Sequence, residues 1–97
     1  MPLYRVFVED VGVKRFSAFG SRDMQAGNPL DAIFKATGVK KDSAAGIAWI
    51  RRYGSGYPMW YGKRLIALPH SRKDLWPNGK TGRVPSAALL YNTYDEP

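Results

Sequence analysis

The chain has 97 residues, 44% of them hydrophobic and 24% charged, a balance that excludes a disordered polyelectrolyte and suits one small folded domain spanning 1–97. Cysteine is absent, which excludes disulfides and thiolate metal sites, and no apolar run has the length of a bilayer span or a secretory leader, so a soluble cytoplasmic protein is expected. Fifteen Lys and Arg against eight Asp and Glu give a formal charge of +7, which favours nucleic acid or another polyanion as partner.

From residue 3 to 10 the types alternate, with Tyr4, Val6 and Val8 set against Arg5, Phe7 and Glu9, and a strand is predicted. A short turn at Val11-Gly12 leads into a second strand over 13–19, with Val13 and Phe19 on one face and Phe16 and Ala18 on the other. The next stretch, 20–27, has two glycines and no period, and is expected to be a loop.

Asn28-Pro29-Leu30-Asp31 is the strongest local signal. Asn28 suits the N-cap, Pro29 the first helical position and Asp31 the positive helix end, while Gly38 closes the helix on its C-terminal side. Leu30, Ile33, Phe34 and Thr37 fall on one face at helical spacing, so this helix is expected to cover one face of a sheet. Residues 39–46 read as a polar connection.

Three further strands are predicted over 47–53, 57–61 and 64–68, joined by Gly54-Ser55-Gly56 and by Gly62-Lys63. Pro58, which has no N–H to donate, sets its strand at a sheet edge, and Pro69 ends the last strand. A long basic loop over 69–85 follows, in which Trp76 is the natural anchor. Residues 85–91 suit either a short helix or a final strand running to Tyr94, with the strand preferred. The fold class expected is α+β, in the order ββαβββ with an optional last strand: a mostly antiparallel sheet with one helix on one face.

Charge and aromatic types both segregate. Residues 43–94 hold eight basic side chains against Asp74 alone, together with all three Trp and five of the six Tyr, whereas all four Phe lie in the first half. Phe belongs in a core, while Trp and Tyr suit positions with one apolar and one wet or bound side. If the loop is Gly54-Ser55-Gly56, the strand pair 47–53 and 57–61 presents Trp49, Arg51, Tyr53, Tyr57, Met59 and Tyr61 on one surface. A two-residue Ser55-Gly56 turn regroups them, pairing Arg51 with Trp60. In the first register the surface is a platform for bases, which stack on rings for roughly 1–3 kcal/mol each while cations meet phosphates. Ordinary cross-strand packing with Arg–ring contacts is the competing account of the same residues.

The expectation is a non-enzymatic nucleic-acid-binding protein, for RNA or single-stranded DNA. Trp49, Tyr53, Tyr57 and Tyr61 would stack on bases, and Arg51, Arg52, Lys63, Arg64, Arg72, Lys73, Lys80 and Arg83 would meet phosphates. No cofactor and no membrane partner is expected. Two alternatives stand beside it. Tyr, Trp, Met and Arg are also hot-spot residues, so the patch suits a homodimer or a small viral or mobile-element protein docking on a host assembly. A metal-free ribonuclease would draw on His70, Arg72, Lys73 and Tyr61. Catalytic patterns are otherwise poor: His70 is the lone histidine, the acids are scattered, and Gly79-Lys80-Thr81 has neither the first glycine nor the leading strand of a phosphate-binding loop.

Overall fold

The architecture follows from the first strand, β1 (Leu3–Asp10), which pairs along both edges. A computed structural model describes residues 1–10, 12–18, 23–53 and 56–91; Val11, residues 19–22, Gly54 and Ser55 of the expected hairpin loop, and residues 92–97, with Tyr94 of the expected last strand, lie outside the described residues. Along one edge of β1 run β2 (Arg15–Ala18) and, further on, the two-residue β3 (Met24–Gln25), both antiparallel. Along the other edge lies β5 (Lys63–Pro69), paired from Tyr4↔Pro69 to Glu9↔Arg64, and outside it β4 (Met59–Trp60). The result is a five-stranded antiparallel sheet in the order β2-β1-β5-β4, with helices packed on it: an α+β fold.

Alternation decides what each sheet face buries. Tyr4 and Val6 of β1, with Leu65 and Ala67 of β5, form one face and pack under α1 (Pro29–Thr37) and α2 (Ala44–Arg51). α1 is built as its sequence implies: the Asn28 side chain accepts from the Asp31 amide at 2.8 Å, Pro29 opens the helix, and the Gly38 N–H bonds to the Phe34 carbonyl. Leu30, Ile33 and Phe34 are buried in this layer.

The other face carries Phe7, Ile66 and Leu68, with Phe16 from β2. It is not open. The C-terminal part of the chain crosses it through two 3₁₀ segments, His70–Leu75 and Ser86–Tyr91, and covers it with Leu75, Ala88 and, partly buried, Trp76, Val84 and Leu89. Trp76 does anchor this segment: its ring meets Phe7 edge-on at 5.5 Å and its indole N–H donates to the Pro69 carbonyl at 3.2 Å.

Four sequence expectations are therefore corrected. Within 20–27, expected as a loop, Met24–Gln25 pairs with Leu3 and Tyr4 as β3. Residues 47–53 do not form a strand, because Ala44–Arg51 is helical and the order is βββααββ followed by 3₁₀ turns. The Ser43 hydroxyl accepts from the Gly46 amide at 3.1 Å as N-cap, and Gly46 and Trp49, one turn apart, form the buried face. That burial outweighs the strand preference of Ile and Trp. Two helices, rather than one, cover the sheet. The last segment is 3₁₀ instead of a strand, since Ala88 has to turn down onto the second face.

Candidate nucleic-acid interface

With Ile47–Arg51 in α2 and Arg52 and Tyr53 in the turn that follows, the flat platform does not form. Trp49 is 6% exposed, packs on the Phe34 ring at 5.4 Å, and spends its indole N–H on the Met59 carbonyl at 3.1 Å. It is a core residue and not a stacking residue. Arg51 is exposed at the end of α2, followed by Arg52 and Tyr53. Arg52 and Tyr53 line a recess beside Met59 of the edge strand β4 without being part of the sheet.

The turns at one end of the sheet gather the other residues. Because β1 is antiparallel to both β2 and β5, the β1–β2 turn and the β4–β5 turn lie at the same end. Each contains a non-glycine residue in the left-handed region: Lys14 at φ 54 and Tyr61 at φ 51. Such backbone is uncommon for bulky side chains and concentrates where a side chain must be displayed in a set direction. Tyr61 is displayed fully, at 87% exposure, with Lys63 exposed beside it.

Between these turns, on the second face, register sets a row of side chains across four strands: Phe16, Glu9, Arg64 and Met59. Glu9 is 5% exposed, and its carboxylate touches the Arg64 guanidinium as an ion pair without an in-line hydrogen bond at that oxygen. On the side of Tyr57, the Arg64 guanidinium carbon stands 5.0 Å from the ring centroid. Arg64 is thus clamped between a carboxylate and a ring, which fixes the direction of its donors. Lys14 and Arg83 complete the walls of a recess of about 320 Å³ lined also by Glu9, Phe16, Tyr57, Val84 and Leu89. Three cations and one already paired acid make it a place for an anion.

Tyr57 also borders a second recess, of about 200 Å³, between α2 and the approach to β4. This one is apolar and aromatic: Leu30, Ala48, Trp49, Tyr53, Pro58 and Met59 line it, with Arg52 among them. An aromatic slot and a cationic one therefore meet at a single ring.

The basic loop divides between the two ends of the sheet. Arg83 joins the cationic recess, and Lys80 stays near it, its carbonyl accepting from Arg15 Nη2 at 2.9 Å. Arg72 and Lys73 go to the opposite end. There Arg72 is paired to Asp74 through two contacts of 3.1 Å, and Lys73 Nζ stands 5.6 Å from the Trp76 ring centroid. His70 Nε2 is 2.8 Å from Asp23 Oδ1, which also accepts from Arg5 Nε at 2.9 Å, and the His70 ring sits edge-on to Trp76 at 4.9 Å. Arg5 above all, and then His70, hold the Asp23 carboxyl below its ordinary range. The ribonuclease set does not assemble, since Tyr61 and His70 stand at opposite ends of β5, whose seven residues span roughly 20 Å.

Sequence reasoning missed Glu9 and Lys14, which enter the site only through strand register and a strained turn. The one local trace is Asp10, whose side chain accepts from the Gly12 amide at 3.2 Å and starts that turn. Among the described residues no group of His, Asp and Glu has the makings of a metal site, and no helix is long and apolar enough to cross a membrane. Comparison with protein-family models, with curated proteins and with solved structures finds no match for this chain.

Proposed function

We propose that the protein binds nucleic acid without chemistry, as a single strand of RNA or DNA in the cytoplasm. One observation carries this: Lys14, Arg64 and Arg83 converge beside the Tyr57 ring, with Glu9 holding Arg64 in place. Such an arrangement meets a phosphate with oriented donors and offers a ring to the base attached to it. Tyr61 and Lys63 extend the contact along the turn end of the sheet, and Arg51 and Arg52 extend it along α2. Arg72 and Lys73 are far-end residues and are not part of the proposed contact.

The test is the affinity for a fluorescent single strand at two salt concentrations. Three phosphate contacts to a single strand give a weakening of about twentyfold between 50 and 200 mM salt. No binding at the lower salt overturns the proposal. A second reading, a protein-interaction module, draws on Ile47 and Ile50, 46% and 49% exposed on the outer side of α2. Light scattering decides between them: a dimer that loses its second subunit in Ile47→Glu with Ile50→Glu favours the second reading.

A further inference from the structure

We infer that the two recesses meeting at Tyr57 form a single nucleotide-binding unit, in which an unstacked base enters the aromatic recess and its phosphate enters the cationic one. This rests on the nucleic-acid reading and specifies how the strand sits. The chemistry of the two recesses is complementary to the two parts of one nucleotide. The aromatic side offers Tyr53 and Tyr57, backed by the buried Trp49, whose indole N–H is already bound to Met59. It can therefore give area and stacking to a flat ring, and Arg52 supplies a planar cation within the same lining. The cationic side offers Lys14, Arg64 and Arg83, and its one acid is engaged with Arg64. Neither recess alone distinguishes a nucleotide from an apolar side chain or a free anion; their shared wall does.

The arrangement also selects the form of the nucleic acid. A base held in a slot between a helix and a sheet edge cannot remain paired and stacked in a duplex, so duplex is the poorer ligand. It further explains the mixture of side chains around Tyr57, with the Arg64 guanidinium on its ring and apolar groups in the neighbouring slot.

The experiment compares a short oligothymidine with a strand of the same length made of abasic sugar–phosphate units, on the wild type, Ala48→Trp and Tyr53→Ala. Ala48 is exposed on α2 and lines the aromatic recess, so a Trp there fills the slot without entering the core. The base-bearing strand is expected to bind the wild type about tenfold more tightly than the abasic strand, the effect of one stacked base. Ala48→Trp is expected to abolish that difference, Tyr53→Ala to reduce it, and both to leave abasic-strand binding unchanged. Equal wild-type affinities, or a difference that survives Ala48→Trp, overturn this inference while salt-dependent binding keeps the broader reading. No binding of either strand at low salt overturns both.

Discussion

Glu9 and Arg64 show how one side chain serves both stability and recognition. A carboxylate at 5% exposure depends on its partner, because desolvation is offset only while the guanidinium is present. Arg64→Ala is expected to lower stability by about 3 kcal/mol in urea unfolding, since it leaves an unpaired buried charge. Glu9→Leu combined with Arg64→Met should regain most of that loss while abolishing strand binding, a pattern that separates the two roles. Asp23 makes a pH-dependent contribution of known sign. Its carboxyl, held below the ordinary 3.8 by Arg5 and then His70, gives stability that is complete above about pH 5 and lost as the pH falls through the lowered value. The stability difference between the wild type and Asp23→Asn is therefore expected to shrink as pH is lowered below 3.8, and a difference that stays constant down to pH 2 would contradict the ion-pair account.

Elements differ in how openly the sequence declares them. In α1 the cap, the first-turn proline, the acidic first turn and the apolar stripe all agree, and Asn28→Ala is expected to remove about 1 kcal/mol of stability, read from the denaturation midpoint. β1 is equally plain as a strand, because Tyr4, Val6 and Val8 recur at period two; that its second face is also covered shows only in Phe7. α2 is hidden, and particular residues explain why. Ile47, Trp49 and Arg51 alternate as in a strand, Gly46 looks like a breaker, and most of the apolar residues face solvent, so the helical stripe that periodicity detects is missing. Gly46 is there for packing: a Cβ would lie 2.1 Å from the Lys40 carbonyl oxygen, so the chain before α2 can close against the helix only at glycine. Gly46→Ala should accordingly destabilise, although alanine is the better helix former. Trp49→Ala is expected to destabilise by about 3–5 kcal/mol, as loss of a core ring does, rather than to weaken strand binding in a folded protein. The site was half legible for the same reason: Tyr57, Arg64 and Arg83 stand out by type, whereas Glu9 and Lys14 join them only through register.

Seen whole, the molecule is a sheet enclosed between two helices and a C-terminal wrap that has little regular structure of its own. The wrap covers Phe7, Ile66 and Leu68, so a chain ending at Pro69 is expected to lose cooperative unfolding and to bind a hydrophobic dye, as measured by calorimetry and fluorescence. The wrap also returns to the outer strand. The Phe16 amide of β2 donates to the Gly82 carbonyl at 2.7 Å, and Gly82 itself lies so close that a Cβ would stand 3.0 Å from the Arg15 Cβ and 3.2 Å from the Phe16 carbonyl oxygen. A strand edge left open is a template for a neighbouring chain. Here the protein's own loop occupies that position, held by Asn78, whose side chain accepts from the Lys80 and Thr81 amides. The loop that brings Arg83 to its recess thereby also covers an edge open to a neighbouring chain, and Gly82→Val, which forces it off that edge, is expected to raise aggregation as followed by light scattering.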